Sequence, residues 1–127
     1  MGERMRFSVL GSVLVAAILS ACTTTGGASA SKSGVIADAK NLVTVSYQCQ
    51  DALGREPHYS AIESSETILK GLGKSADEAD STVRGWLRTV IASPKQPAYL
   101  DAKTCKDRLL TLAEKVRVGY ETLKAGR

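Results

Sequence analysis

Residues 101–124, DAKTCKDRLLTLAEKVRVGYETLK, carry the longest helical repeat in the chain and decide its fold class. Apolar side chains recur there every three or four residues, which is the period of an α-helix with one buried face. That face consists of Cys105, Leu109, Leu112, Val116, Tyr120 and Leu123. Asp101 precedes the repeat, where an N-cap is expected. The stretch therefore predicts a long amphipathic helix that ends near Lys124.

Two earlier stretches repeat this period on either side of a polar segment, residues 51–56. The first predicted helix covers about 34–50, and its apolar stripe holds Val35, Ala39, Leu42, Ser46 and Cys49. The second begins at Pro57, since proline suits the first turn of a helix, and ends at Gly71 and Gly73. Its stripe holds Ile62, Ser65, Ile68, Leu69 and Leu72.

A third stretch follows a capping box, in which the Ser75 hydroxyl and the Glu78 carboxylate are spaced to bond each other's backbone amides. Its apolar positions are Ala79, Val83, Trp86, Leu87, Val90 and Ile91. Residues 93–100 then form a predicted loop that contains two prolines. No stretch after residue 33 alternates as a half-buried strand does. Residues 34–127 are therefore predicted to form an all-α, up-down four-helix bundle.

The N-terminus has the pattern of a secretory signal peptide. Arg4 and Arg6 precede the apolar stretch FSVLGSVLVAAIL, residues 7–19, and small residues follow it. At 1.5 Å per residue the stretch reaches about 20 Å, less than the hydrocarbon core of a bilayer. Residues 19–22, Leu-Ser-Ala-Cys, resemble the lipobox of bacterial lipoproteins. The alternative is an ordinary cleavage site that leaves Cys22 as a free thiol.

The lipobox resemblance implies that the signal, residues 1–21, is removed and that Cys22 carries a diacylglyceryl group and an acylated amine. Several acyl chains anchor a protein stably, whereas one chain binds reversibly. Thr23 follows where many lipoproteins of the inner membrane have Asp, which favours the outer membrane. Residues 22–33 have the small, polar composition of a flexible tether. We therefore expect the domain at 34–127 to face the periplasm from the outer membrane.

Once Cys22 is assigned to lipid, Cys49 and Cys105 remain. Cys49 ends the first predicted helix and Cys105 opens the fourth, so alternating helix directions place both at one end of the bundle. The periplasm is oxidising, which favours a disulfide between them. A buried reduced pair or a redox site are the alternatives, although the chain has no C-x-x-C motif.

Composition argues against an enzyme, a metal site or nucleic-acid binding. His58 is the single histidine and stands beside Pro57 near a helix start, which predicts a surface or capping role. Residues 22–127 have 15 basic and 12 acidic side chains, and the basic ones are scattered among the acids rather than clustered with aromatics. We expect no catalytic residue, no metal and no cofactor apart from the lipid on Cys22.

Binding is the function that these exclusions leave. The first and third predicted helices carry wider apolar faces than a narrow packing seam requires. Trp86, the single tryptophan, is interpreted as a core residue or as the anchor of a groove for an amphipathic partner helix. The pattern selects Val43, Tyr47, Trp86 and Val90 as partner-binding residues.

These features together resemble one known family. They are the lipobox and tether, a helix ending Leu42-Val43-x-x-Ser46-Tyr47-x-Cys49, a second helix opened by Pro57, an aromatic in the third and a cysteine opening the fourth. They are similar to the PulS/OutS pilotins of type II secretion systems, over roughly residues 35–116. The fourth predicted helix is longer than the family pattern.

The resemblance implies a small outer-membrane lipoprotein with a disulfide-stapled four-helix bundle, acting as a monomer. Such a pilotin binds the disordered C-terminal segment of a secretin, which folds into a helix in an apolar groove. The acyl chains then carry the secretin subunit to the outer membrane for assembly. The alternative functions are a structural envelope lipoprotein that binds another secretion-machine or periplasmic component, and a periplasmic inhibitor or entry-exclusion protein.

Overall fold

Five α-helices and one short 3-10 helix make up the regular structure of residues 30–126, the part of the chain that the computed structural model describes. The α-helices are α1 (Lys32–Gln48), α2 (Gln50–Leu53), α3 (Glu56–Gly71), α4 (Ala76–Ala92) and α5 (Ala102–Ala125), and the 3-10 helix is Pro97–Leu100. The prediction of an all-helical domain is confirmed. The predicted signal peptide, Cys22 and most of the tether lie outside the described residues.

Side-chain caps fix where the long helices begin. Both hydrogen bonds of the predicted capping box are present, since the Glu78 amide donates to Ser75 Oγ and the Ser75 amide donates to a Glu78 carboxylate oxygen. Asp101 caps α5 by accepting a hydrogen bond from the Thr104 amide. Ser31, a residue of the predicted tether, caps α1. The first helix therefore begins at Lys32, two residues earlier than predicted.

Two connections contain more structure than predicted. The backbone at Cys49 leaves the helical conformation, yet the chain turns once more as α2 before Gly54 ends it with a φ of 82°. The second predicted loop likewise contains the 3-10 helix. Both short helices pack against α5. Tertiary packing therefore orders two segments whose composition is typical of loops.

Contacts at the helix ends show that the four long helices alternate in direction. His58 at the start of α3 bonds Ser46 at the end of α1, so these two helices are antiparallel. The disulfide joins the end of α1 to the start of α5. The Gln48 side chain bonds the backbone at Pro94, just after α4. The ends of α1 and α4 and the starts of α3 and α5 therefore lie at one end of the domain.

α1 is the central helix. It packs against α3, α4 and α5, and α4 also packs against α3. α5 rests mainly on α1, with smaller contacts to α2 and the 3-10 helix. A closed bundle would have α5 packed along two long helices. The observed arrangement instead leaves the space between α3 and α5 open along most of its length.

The predicted apolar stripes form the core. All five stripe residues of α1 are buried, together with most of those on the other long helices: Ser65, Ile68, Leu69, Leu72, Ala79, Val83, Val90, Cys105, Leu112 and Val116. Among the remaining predicted stripe residues, only Ile91 is exposed, at 59% near the end of α4, and six are half-buried: Ile62, Trp86, Leu87, Leu109, Tyr120 and Leu123. Helical periodicity therefore identified the buried face of each long helix.

The predicted disulfide between Cys49 and Cys105 is present, with 5.9 Å between the two Cα atoms. Both cysteines are almost fully buried. The bridge ties α5 to the helix on which it rests. Within residues 30–126, no helix combines the length and apolar character needed to cross a bilayer.

Candidate partner-binding groove

A surface groove runs between α3 and α5, over α1. Its floor includes Leu42 of α1, which is buried in the core and also contributes to the lining of the groove. The two helices form its walls. Along α5 the groove extends from Lys106 to Tyr120, which at 1.5 Å per residue is about 21 Å, or about four helical turns.

The upper compartment of the groove lies beside the first turns of α3 and α5 and has a volume of about 430 Å³. Its apolar lining includes Leu53, Pro57, Ala61, Leu109, Leu110 and Ala113. Leu110 is 64% exposed. An exposed leucine at the mouth of an apolar depression is a typical contact residue for a partner, because it is desolvated only when the depression is filled.

The lower compartment continues from the upper one toward the ends of α3 and α5 and has a volume of about 440 Å³. Both compartments share Leu42, Ser64 and Ala113, so they form one groove. Tyr120 lines its lower end and lies against Gly71 of α3, where an added methyl group would overlap the tyrosine hydroxyl. The two walls therefore approach each other closely at this end.

The α3 wall carries small hydroxyl side chains at helical spacing: Ser60, Ser64 and Thr67. Small side chains leave room for another backbone to approach, and hydroxyl groups keep the wall soluble while the groove is open. The α3 wall therefore leaves room for a bound helix, and it presents a polar surface to water when the groove is empty.

Charged side chains are distributed unevenly along the groove. Lys106 lines the upper compartment and makes no ion pair with any of residues 30–126. In the lower compartment, Arg117 is paired with Glu114 and Glu121 on its own helix, and Glu63 contributes a carboxylate from α3. The upper end therefore carries the positive charge of Lys106, which forms no ion pair with a described carboxylate.

The structure does not bring the four predicted partner-binding residues into this groove. Val43 is 0% exposed and Val90 is 2% exposed, so neither contacts a partner without a change in core packing. Tyr47 is half-buried and lies edge-on to the ring of His58. Trp86 is half-buried and packs against the core. The open surface instead belongs to α3 and α5.

Apolar periodicity alone does not identify the groove residues. Ser60, Ser64 and Thr67 are small polar residues on what a sequence pattern assigns to a solvated face. One feature of the sequence pointed to the groove. Leu110 follows Leu109 but lies outside the apolar stripe of its helix. A leucine outside a well-formed stripe is a candidate surface contact.

His58 is buried between α1 and α3, so the prediction of a surface or capping position is wrong. Its Nδ1 lies 3.1 Å from Ser46 Oγ, which in turn donates to the Val43 carbonyl at 2.9 Å. Because that serine proton is engaged, His58 Nδ1 donates to Ser46. Burial lowers the pKa of His58 below its ordinary value, against an opposing contribution from the Val43 backbone. The pair is a neutral interhelical link.

Among the described residues, no group of three or more His, Cys, Asp or Glu side chains is placed to hold a metal ion. Comparisons with protein-family models, with curated proteins and with solved structures find no match to this chain. The basis for a functional proposal is therefore the groove itself, together with the sequence pattern of the N-terminus.

Proposed function

We propose that this protein is a pilotin, a lipid-anchored periplasmic domain that binds the C-terminal segment of a secretin and delivers it to the outer membrane. The observation that carries the proposal is the open apolar groove between α3 and α5. It has the length of about four helical turns, an apolar floor and an exposed leucine at its mouth. These are the properties of a surface that accepts an amphipathic helix.

The proposed mechanism divides the chain into an anchor and a receptor. Cys22 is lipidated, residues after it act as a tether, and the domain that begins at α1 holds the groove. A disordered secretin tail folds as it binds, which gives up part of the binding energy as ordering entropy but yields a specific, extended contact. The acyl chains then carry the bound subunit to the outer membrane. No bond of the partner is broken, so the protein is not an enzyme and needs no cofactor.

Residues 31–127 form a unit with its own core and disulfide, so the domain is suitable for a binding test alone. A peptide from the C-terminus of a secretin of the same organism is titrated into it. We expect a dissociation constant in the micromolar range or tighter, together with a gain of helical circular dichroism by the peptide.

A matched pair of variants on α5 locates the contact. Leu110→Glu should weaken binding at least about tenfold, because it places a charge in a contact that must be desolvated. Val118→Glu introduces the same negative charge on α5, at a 46% exposed site outside the lining of the groove. This control variant should leave binding unaltered. If no secretin tail from the organism binds, the pilotin proposal is wrong and an envelope lipoprotein with another partner becomes the better explanation.

A further inference from the structure

The two walls of the groove run in the same direction. Pro57 and Lys106, from the first two turns of α3 and α5, both line the upper compartment. Tyr120 and Gly71, near the ends of the same helices, meet at the lower end. The floor helix α1 runs the opposite way, since its end carries the disulfide to the start of α5.

This parallel arrangement gives the groove an electrical polarity. A helix has a partial positive charge at its N-terminus and a partial negative charge at its C-terminus. The N-termini of α3 and α5 therefore both lie at the upper end of the groove, although the Asp101 carboxylate that caps α5 offsets part of the positive charge there. The N-cap of α3, Arg55, makes no side-chain cap bond, and Glu56 in the first turn partly offsets the positive pole of this helix.

Side-chain charges add to the same polarity. Lys106 is exposed in the upper compartment without an ion-pair partner among residues 30–126, whereas Arg117 in the lower compartment is paired with two glutamates of its own helix. Glu56 and Asp101 also lie at the upper end of these helices. Asp101 is engaged as the cap of α5, and neither carboxylate lines the groove.

We propose that the groove binds an amphipathic helix of about 14 residues antiparallel to α3 and α5, with its C-terminal end and a carboxylate beside Lys106. In this orientation the negative end of the bound helix meets the two positive helix ends, and the helix completes a four-helix arrangement with α1, α3 and α5. The terminal carboxylate of a C-terminal segment can itself supply the charge. The inference rests on the proposed function only in taking a helix as the occupant.

Paramagnetic labelling distinguishes the two orientations. Two peptides are prepared with a nitroxide at either the N-terminus or the C-terminus: the secretin C-terminal segment, and an 18-residue designed helix with a Leu/Ala face and a Gln-rich face. Each is added to the isotopically labelled domain, residues 31–127. We expect the C-terminal label to broaden amide signals around Lys106 and the N-terminal label to broaden those around Tyr120.

The outcomes separate the orientation from the function. If either peptide binds with its C-terminal label beside Tyr120, the inference is overturned, and the pilotin proposal stands only when the secretin tail is the peptide that binds. If the designed helix binds in the expected direction while the secretin tail does not bind, the orientation is supported and the pilotin proposal is lost. If neither peptide binds, both are overturned.

A charge reversal tests the role of Lys106. Lys106→Glu should weaken binding of the free-acid peptide about fivefold and should remove its advantage over the C-terminal amide. Arg108→Glu is the matched control, because Arg108 is exposed on the same helix outside the groove lining. Equal weakening by both variants would mean that net charge, and not the placement of Lys106, governs the contact.

Discussion

The two sides of α3 differ in what covers them. On the side toward α1, Ser65 is buried and His58 makes a buried hydrogen bond to Ser46. On the side toward α5, the equally small Ser60 and Ser64 stay exposed and border an open groove. Small side chains thus permit close packing on both sides, and only one side has a helix that fills the space.

The position of α5 explains this difference. It is joined to α1 by the Cys49–Cys105 disulfide, and Gly119 allows its backbone to approach Val35 closely. Toward α3 it makes a close contact at one end, where Tyr120 lies against Gly71. The groove therefore exists because α5 is held to the central helix rather than to its other neighbour.

Removing the disulfide should break this arrangement most severely. The bridge connects residues that are 56 apart in the sequence, and on the chain-entropy treatment a loop of that length contributes about 4 kcal/mol to the free energy of unfolding. Cys49→Ser with Cys105→Ser should therefore lower that free energy by a similar amount, as measured by urea unfolding. A reducing agent provides the control, because it should destabilise the wild type and leave the double variant unchanged. Equal stability of both proteins would show that the bridge does not hold α5.

The contact at the lower end of the groove can be tested with two glycines. Gly71→Ala forces a methyl group into the Tyr120 hydroxyl and should cost about 1–3 kcal/mol of unfolding free energy. Gly85→Ala, in the interior of α4, meets nothing closer than 3.7 Å and should instead stabilise by about 0.5–1 kcal/mol. Thermal and urea unfolding measure both effects.

A second variant separates the overlap from other effects at position 71. Gly71→Ala should carry no further cost when Tyr120→Ala is already present, because the group that it overlaps has been removed. If Gly71→Ala lowers the unfolding free energy by the same amount in the Tyr120→Ala background, overlap with Tyr120 is not the reason that alanine is unfavourable at position 71.

The smallest effect concerns His58, on the side of α3 that packs against α1. Burial lowers the pKa of His58 in the folded protein, so the unfolded chain binds a proton more readily, beginning near its ordinary value of 6.5. The contribution of His58 to stability is therefore complete above pH 6.5 and decreases as the pH falls below it, until the folded pKa is passed. Urea unfolding between pH 7.5 and 5.5 should show this decrease in the wild type and less of it in His58→Gln. An NMR titration of the ring that gives a pKa above 6.5 would contradict the assignment.

Local patterns in the sequence were sufficient to predict the helices and their buried faces. The capping residues Ser75, Glu78 and Asp101 act within one turn of their own helix, so their effect does not depend on the rest of the fold. Gly73 likewise adopts a φ of 109° where α3 ends, and the amides of Gly73 and Lys74 bond carbonyls of the last turn. The Cys49–Cys105 pairing was also predicted from the sequence, because alternating helix directions place these two cysteines at one end of the domain.

The groove was decided by the tertiary structure alone. Val43 and Val90 were predicted to contact a partner because they belong to wide apolar helix faces. In the structure, neighbouring helices bury both of them in the core. His58 looked exposed because it stands beside a helix start, yet Ser46 of another helix covers it. Periodicity specifies which face of each helix avoids water. Which of those faces another helix covers depends on how α3, α4 and α5 share the space around α1. That follows from packing between residues far apart in the chain.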